Sequence, residues 1–251
     1  LTVTNSNGSN TNTKISYIEI EAGVVATNFN EDFESEVLCS VASDCGTTVC
    51  SLTGFWNNLT NGTEDNIDWR VDEGGTPSAN TGPTIDFNPG TAAGNYLYLE
   101  ASGSCNDQIA ILESQCMIVD QGYDFIFGYH MYGTNTGSLH IDLFSDGFWQ
   151  EDIIPSFSGD LGNIWNTATV NLNPYIGKTI KIRIRGIIGN GFASDIAIDD
   201  IQKQLKNKVN KSSIGAWSNQ QKIVKNWLLF FAIIVTFLFV FFFHLIPFAV
   251  I

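Results

Sequence analysis

Four acidic side chains are candidate ligands for a metal ion, namely Glu34, Asp68, Asp199 and Asp200. Glu34 lies at the start of a predicted domain and Asp199 and Asp200 lie on its last strand, and in the two-sheet fold implied by the resemblance described below, the first and last strands lie side by side. We therefore expect Glu34 to approach Asp199 or Asp200, with Asp68 nearby. Ligand sets made only of oxygen atoms suit calcium or sodium better than a transition metal. The sequence thus predicts a structural calcium site, and the alternative is that these carboxylates cap turns or face solvent.

Aromatic side chains are a second group of candidate binding residues, because they can stack against sugar rings. Phe148 and Trp149 directly follow an Asp-Gly pair, which favours a turn, so these two residues are the predicted ligand-binding pair. The alternative for each tryptophan is packing in the core, and we favour that alternative for Trp69 and Trp165. A carbohydrate-binding surface around Trp149 is therefore one hypothesis.

Patterns that indicate catalysis do not occur in the sequence. There is no HExxH, G-x-S-x-G or phosphate-binding G-x-x-x-x-G-K pattern. The carboxylates from Asp195 to Asp200 alternate as in some glycoside hydrolases, but we interpret this run as a closing strand. His130 and His140 are expected on strand faces and not as ligands. We predict that this chain is not an enzyme, although a catalytic domain upstream is compatible with it.

The five cysteines predict disulfide bonds. Their positions are 39, 45, 50, 105 and 116, and no spacing with the three histidines indicates zinc. We predict one bridge between Cys105 and Cys116 and a second pair among Cys39, Cys45 and Cys50. Disulfides imply an oxidising, extracellular compartment.

Charge is distributed very unevenly along the chain. All 26 acidic residues lie in residues 1–202 together with six of the 12 basic residues, so that part has a net charge of −20. The last 49 residues contain the other six basic residues and no acid. Such an acidic domain has no basic footprint for phosphates, which excludes nucleic acid as a partner.

Short alternating segments separated by turns predict an all-β fold. In residues 179–185 the isoleucines alternate with Lys181, Arg183 and Arg185, and residues 123–132 place four large apolar side chains on one face. Residues 1–20 predict two strands around a turn at 5–12, with the second strand at about 15–20. These patterns favour an antiparallel sandwich.

Blocks of sequence, taken in order, resemble the MAM domain, an extracellular module named after meprin, the A5 antigen and a receptor tyrosine phosphatase. The resemblance covers residues 32–202 and includes the blocks Asp32–Glu34, Asp68–Arg70, Thr81–Pro83, Gly94–Ser102, Phe127–Gly133 and Ile184–Gly186. It implies a two-sheet antiparallel jelly roll that acts in adhesion or as an accessory to a larger protein. Glu31 stands where the family usually has a cysteine, so the family's disulfide pattern cannot be carried over.

The remaining segments are assigned by composition and by a second, shorter resemblance. Residues 1–22 resemble the closing strands of a PKD-type repeat, and residues 23–31 form a linker of small residues. Residues 203–226 form a basic polar linker. Residues 227–251 contain no charged side chain and are long enough for a transmembrane helix of about 20 residues. The lysines flank this segment only on the side of the disulfide-bonded domain, whereas positive charge is usually in excess on the cytoplasmic side. A frameshift or read-through product is therefore an alternative origin for the tail.

These observations predict a non-catalytic adhesion or recognition module of a larger secreted or cell-surface protein. Its expected partner is a protein or glycan at the cell surface, and self-association and membrane attachment through residues 227–251 are further expectations. The alternatives are a carbohydrate-binding module that targets a linked enzyme, and a structural spacer in a surface adhesin.

Overall fold

The computed structural model describes residues 2–5, 8–11, 28–39, 44–45 and 50–206. Within these ranges the chain is all β apart from one short 3-10 helix, Asn173–Tyr175. The strands are β1 (Thr2–Asn5), β2 (Gly8–Thr11), β3 (Phe29–Glu31), β4 (Trp56–Asn58), β5 (Arg70–Glu73), β6 (Asn95–Leu99), β7 (Ile109–Ser114), β8 (Met117–Val119), β9 (Tyr123–Met131), β10 (Ser138–Ser145), β11 (Phe148–Gln150), β12 (Phe157–Ser158), β13 (Trp165–Asn171), β14 (Lys178–Ile187) and β15 (Ile196–Leu205).

The first two strands form an antiparallel hairpin in which Thr2 pairs with Thr11. The turn between them is therefore shorter than the predicted one, because Gly8–Thr11 belongs to a strand. The strand predicted at about 15–20 lies outside the described residues, and the PKD-type repeat stays a prediction.

Two antiparallel sheets form the body of the domain, as the sequence predicted. The first, here the β14 sheet, has the order β11-β10-β14-β7-β4, with β12 beside β10 and β8 beside β14. The second, here the β15 sheet, has the order β13-β9-β15-β6-β5, with β3 beside β15. Antiparallel sheets of this kind bury one face against each other and leave the other face for loops or solvent.

The core lies between the two sheets, because alternate side chains along each strand point toward the opposite sheet. The β14 isoleucines at 180, 182 and 184 are fully buried, while Arg185 and Lys181 point to the outer face. The predicted apolar face of β9 is buried as well, through Phe125, Phe127, Tyr129 and Met131. Each such side chain contributes about 1.5–3 kcal/mol through burial.

A long loop, residues 74–94, covers the outer face of the β15 sheet. The ring of Phe87 in this loop lies against Gly128 of β9, where a Cβ atom would be 2.7 Å from the ring. Phe87 also packs against Trp165, with ring centroids 5.8 Å apart. Trp165 is thus half-buried beneath a loop and outside the main core, whereas Trp69 is fully buried in that core.

The disulfides differ from the predicted pairing. The structure joins Cys39 to Cys50, one of the pairs that the sequence left open, and joins Cys45 to Cys105. The predicted bridge between Cys105 and Cys116 is wrong, and Cys116 is in neither disulfide. The reason is that β7 separates Cys105 from Cys116, and its six residues span roughly 20 Å. The backbone N–H of Cys45 instead donates to Ser102 at 2.9 Å, which places Cys45 beside Cys105.

The last strand continues beyond residue 202, where the sequence predicted a linker. Lys203 is buried because its ammonium group donates to the Ile118 carbonyl at 2.6 Å and lies 4.2 Å from the centre of the Tyr123 ring. Residues 1–206 form one compact unit that contains the core and both disulfides, so this part has what it needs to fold independently of residues 207–251. No helix in the described residues is long and apolar enough to cross a membrane, and the predicted membrane segment 227–251 lies outside them.

Candidate recognition surfaces

Two of the predicted cation ligands, Glu34 and Asp68, accept backbone hydrogen bonds in different parts of the domain. The Glu34 carboxylate accepts from the N–H of Asn95 at 2.8 Å, and the Asp68 carboxylate accepts from the N–H of Cys50 at 2.7 Å. Burial raises the pKa of Asp68. Glu34 therefore contacts the first residue of β6, and Asp68 holds the backbone at Cys50 in place.

The other two predicted ligands lie beneath the loop 74–94. Asp199 accepts from the N–H groups of Phe87 and Asn88, and Asp200 accepts from the Asn88 side chain at 3.2 Å. Across the described ranges, no three His, Cys, Asp or Glu residues lie close enough together to hold a metal ion. The four residues do not form one site there, and calcium binding stays a prediction without support from their positions.

The predicted ligand-binding pair lies where the sequence placed it, just after a tight turn. Asp146 and Gly147 have positive φ values of 57° and 91°, and Phe148 at the start of β11 is 56% exposed. Trp149 is half-buried, because the Arg183 guanidinium lies 3.9 Å from the centre of its ring and Phe144 packs beside it. Phe148 thus offers an open ring, and Trp149 offers a ring that already has two neighbours.

The outer face of the β14 sheet around Trp149 carries ion pairs. Glu113 accepts from Arg183 at 2.7 Å and from Lys181 at 3.2 Å, and Asp142 accepts from Arg185 at 2.8 Å. The hydrogen bonds to Asp142 raise the pKa of the Arg185 guanidinium. The positive charges of the lysine and arginine side chains and the negative charges of the carboxylates therefore neutralise one another on this face.

His140 forms a hydrogen-bonded chain that the sequence analysis missed. Its Nε2 lies 2.8 Å from the Ser138 hydroxyl oxygen, and its Nδ1 lies 2.6 Å from an Asp152 carboxylate oxygen. Ser138 and His140 are two positions apart on β10, so a strand places them on one face. Asp152 comes from the segment after β11, and no local pattern predicts that contact. These two hydrogen bonds hold the segment that contains Asp152 against β10.

A buried acidic cluster on the β15 sheet was also missed. Asp72, Glu100 and Asp195 are at most 4% exposed, and Arg70 lies among them at 2% exposure. Burial raises the pKa of Asp195 to about 7 and that of Asp72 to about 6, and the neighbouring Glu100 carboxylate adds to both shifts. These groups are inaccessible to a macromolecular partner, so we infer that they affect the stability of the domain and not its recognition of a partner.

The surface with the best features for recognition lies where four segments meet at one end of the sandwich. We call it the loop-end surface, and it consists of residues 81–87, 131–137, 159–164 and 188–193. Hydrogen bonds hold these segments together. The Thr81 side-chain hydroxyl donates to the Tyr132 carbonyl at 3.0 Å, the backbone N–H of Leu161 donates to the Met131 carbonyl at 2.8 Å, and that of Asn135 donates to the Ala193 carbonyl at 3.0 Å.

Large apolar side chains are exposed on the loop-end surface. Ile164 is 60% exposed, Phe192 59%, Ile85 41% and Leu161 37%. Only two residues of these segments are charged, namely Asp86, which is 1% exposed, and the exposed Asp160. In a domain with a net charge of −20, these four segments therefore carry one exposed charge and several exposed apolar groups. The exposed Asp107 lies beside them, because its backbone N–H donates to the Ile188 carbonyl at 3.1 Å.

The loops of this surface are closely fitted to one another at Gly133. A Cβ atom at Gly133 would lie 2.3 Å from the Ala193 carbonyl oxygen, and the φ value there is 138°. Only glycine accommodates both features without strain. The exposed apolar side chains are thus carried by loops in close mutual contact, and the surface is preorganised.

Comparison with known proteins places this fold in a family. The family model described as MAM domain, meprin/A5/mu, matches residues 32–208. The chain belongs to the MAM family. MAM domain-containing glycosylphosphatidylinositol anchor protein 1 of Rattus norvegicus is 34% identical over 157 residues, which cover 60% of this chain and 16% of that protein. Neuropilin-1a of Danio rerio is 33% identical over 138 residues, which cover 53% of this chain and 14% of that protein. The matched part of the MAM chain thus spans about a sixth of the length of these curated relatives.

Solved structures are similar to this MAM chain at much lower identity. The K1 cleaved adhesin domain of Lys-gingipain from Porphyromonas gingivalis W83 has a TM-score of 0.43 at 15% identity, covering 72% of this chain and 100% of that one. TmCBM61 in complex with beta-1,4-galactotriose has a TM-score of 0.39 at 14% identity, covering 60% of this chain and 88% of that one. At these scores the likeness carries no argument about function.

Proposed function

We propose that this MAM chain is a non-catalytic recognition module that binds a protein at an extracellular surface, as part of a larger secreted or cell-surface protein. Family membership supports the proposal, because one relative is named as a glycosylphosphatidylinositol anchor protein. The observation that carries it is the loop-end surface, with its exposed apolar side chains and a single exposed charge.

The composition of the loop-end surface is that of a protein interface. Interface centres are depleted in charged residues and enriched in aromatic ones, and contiguous exposed apolar patches mark interaction sites. Ile164 and Phe192 are exposed apolar side chains of the loop-end surface, Phe192 is aromatic, and the Thr and Asn side chains of the same segments can supply polar contacts. Binding residues also concentrate on loops that a rigid scaffold positions.

The disulfides support an extracellular location for the module. Cys45–Cys105 closes a loop between residues 60 positions apart, and such bridges persist in oxidising compartments. The net charge of −20 in residues 1–202 keeps the domain soluble and disfavours contact with anionic nucleic acid.

Binding of the fluorescently labelled chain to cultured animal cells tests the proposal. We expect saturable binding that is lost when the cells are first treated with a protease and retained when they are treated with glycosidases. Binding that survives the protease and disappears with the glycosidases would contradict protein recognition.

A carbohydrate-binding module is the second candidate, and the open ring of Phe148 beside Trp149 favours it. Aromatic rings next to cations and carboxylates, as on the outer face of the β14 sheet, can stack on a sugar ring and hold its hydroxyl groups. Retention of the chain on one polysaccharide of a panel, reduced at least tenfold in Trp149→Ala and in Phe148→Ala, would establish this function. Absence of any binding in both assays would favour a structural spacer.

Attachment to a membrane through residues 227–251 is a separate part of the proposal. The 25 uncharged residues support it, since that length spans the hydrocarbon core as a helix. The intact chain should stay with membranes in alkaline carbonate, whereas a chain that ends at residue 206 should not. Extraction of the intact chain into the soluble fraction would contradict membrane attachment.

A further inference from the structure

We propose that β13 takes up an extended segment of a partner protein as an additional strand of the β15 sheet. The inference rests on the proposed recognition function and names the chemistry of the partner, an extended peptide in which apolar side chains alternate with basic ones. It requires backbone groups without hydrogen-bond partners, a sheet edge without the usual protection, and surroundings that favour such a peptide.

The backbone of β13 has a free edge. The strand lies at one end of the β15 sheet and pairs with β9 alone. The N–H of Leu172 donates to the Tyr123 carbonyl at 3.0 Å, so in this antiparallel register the even-numbered residues of β13 direct their backbone groups toward β9. The N–H and C=O groups of Thr167 and Thr169 therefore point away from the sheet. Within the described part of the chain, none of these groups has a hydrogen-bond partner.

The edge of β13 lacks the features that usually protect a free edge. Proteins keep such edges short or place lysine, proline or a β-bulge on them, because unpaired backbone groups are a template for another strand. β13 has seven residues with no charged side chain and no proline, and its register with β9 is continuous. The strands at the other ends of the two sheets, β4, β5 and β11, have three or four residues. Among the described strands, β13 thus offers the longest free edge.

The surroundings of β13 indicate apolar residues at alternate positions of the partner. Ala168 and Val170 are buried on the core face of the strand, whereas its threonines are exposed on the outer face. Phe157 of β12 is half-buried on this side of the sandwich, where it stacks on Tyr129 of the adjacent β9 with ring centroids 4.3 Å apart. An added strand would place every second side chain beside these apolar groups and the others on the solvated face.

Charge favours basic residues at the remaining positions of the partner. Residues 1–202 have a net charge of −20, and such a potential attracts a basic segment and repels an acidic one. Lys206 lies at the far end of β13, where its ammonium group donates to the Asn171 side chain at 2.8 Å and pairs with Asp124 at 2.9 Å. The open part of the edge is therefore the centre of the strand and the end next to the loop-end surface.

Continuity with the loop-end surface also supports this location. Ile164, which is 60% exposed, immediately precedes Trp165, the first residue of β13. A partner segment that pairs with β13 can therefore extend onto the loop-end surface. In this mode of recognition the main-chain hydrogen bonds supply affinity, and the alternate side chains supply specificity.

Hydrogen exchange of the backbone amides, resolved by NMR on residues 1–206, tests the inference. The probe is a synthetic peptide selected by binding from a phage-displayed library of random peptides, and we expect its sequence to alternate apolar and basic residues. In the free chain the amides of Thr167 and Thr169 should exchange rapidly, and those of Ala168 and Val170 slowly. The bound peptide should slow the exchange of Thr167 and Thr169 at least tenfold.

Variants at Thr169 separate the backbone edge from the side chain. Thr169→Pro removes the outward N–H, and proline is tolerated on an edge strand where the N–H faces solvent. We expect it to raise the dissociation constant of the peptide at least tenfold. Thr169→Val keeps the N–H, so this matched control should bind within about twofold of the wild type. Thr169→Lys also keeps the N–H and should weaken binding of a basic peptide, which provides a second test if the proline variant does not fold.

A library that yields no binding peptide would overturn the inference, as would a bound peptide that leaves the exchange of Thr167 and Thr169 unchanged. Equal affinities of folded Thr169→Pro and Thr169→Val would also overturn it. If protein-dependent binding to cells persists in these cases, the proposed function stands and only the added strand is wrong. If the peptide protects both threonine amides but the chain binds no protein on cells, strand addition stands and the proposed function is wrong.

Discussion

Asp199 and Phe87 are joined by a hydrogen bond of 2.9 Å, in which the backbone N–H of Phe87 donates to the buried carboxylate. The same carboxylate oxygen accepts from the N–H of Asn88 at 3.0 Å. Residue 199 belongs to β15 and residue 87 to the covering loop, so this contact fastens the loop 74–94 to the sheet. Burial raises the pKa of Asp199 to about 8, although the N–H donors favour its charged form.

Replacing Asp199 by Ala should destabilise the domain strongly. The substitution removes the acceptor of two part-buried hydrogen bonds from the N–H groups of Phe87 and Asn88, and a donor left without an acceptor costs about 1–3 kcal/mol. We expect the free energy of unfolding, measured with urea, to fall by about 3 kcal/mol. Glu151→Ala, at an exposed position, is the control and should change it by less than about 0.5 kcal/mol. Equal effects of the two substitutions would show that the contact does not hold the loop.

The buried carboxyl of Asp195 should make stability depend on pH in an unusual direction. Its pKa is raised to about 7 in the folded state, mainly by burial and further by Glu100, whereas an unfolded Asp titrates near 4. Between these values the folded state binds the proton and the unfolded state does not. The contribution of Asp195 to the free energy of unfolding is therefore present at low pH and is lost as pH rises from about 4 to about 7.

The substitution Asp195→Asn isolates this effect, because the amide oxygen can still accept from the backbone N–H of Ala101. The difference in unfolding free energy, wild type minus variant, should be larger at pH 4.5 than at pH 7.5. A difference that grows with pH would mean that the carboxylate is stabilised by its surroundings and that burial does not control its titration.

Gly128→Ala should disturb the packing of the covering loop. The new methyl group would lie 2.7 Å from the Phe87 ring, and overpacking of this kind costs typically about 1–3 kcal/mol. In the background Phe87→Ala the methyl group has room, so the same substitution should cost much less. A double-mutant cycle measured by thermal unfolding checks this coupling, and additive effects would contradict the contact.

The disulfide pairing can be checked directly by peptide mapping without reduction. We expect linked peptides for Cys39–Cys50 and Cys45–Cys105 and none for Cys105–Cys116. The double substitution of Cys45 and Cys105 by Ser should lower the free energy of unfolding by about 2–4 kcal/mol, because it removes the closure of a long loop. Cys116→Ser, the matched control, should leave both linked peptides in place, and a peptide that joins Cys105 to Cys116 would contradict the structure.

The sheets and their buried faces could be predicted from the sequence, because alternation is a local property. The isoleucines of β14 and the aromatic residues of β9 are buried as their two-residue period indicated. The turn before Phe148 was predictable for the same reason, since Asp-Gly pairs favour positive φ values.

Contacts between distant segments could not be predicted in this way. Cys45 reaches Cys105 and Asp152 reaches His140 only because strands bring separate loops together. The loop-end surface depends on four segments spread over more than a hundred residues, and none of them is unusually apolar by itself. The surroundings of the four predicted calcium ligands also depend on such distant contacts, and each carboxylate accepts hydrogen bonds within its own part of the domain. Calcium binding stays a prediction.

The binding of surface variants to cells tests most directly whether this chain is a recognition module that acts through its loop end. Labelled wild-type chain, Ile164→Asp and Trp149→Ala are titrated onto the same cells. Our account predicts that Ile164→Asp weakens binding at least tenfold, while Trp149→Ala binds within about twofold of the wild type. Binding that is lost in Trp149→Ala and retained in Ile164→Asp would contradict the account and place recognition on the outer face of the β14 sheet.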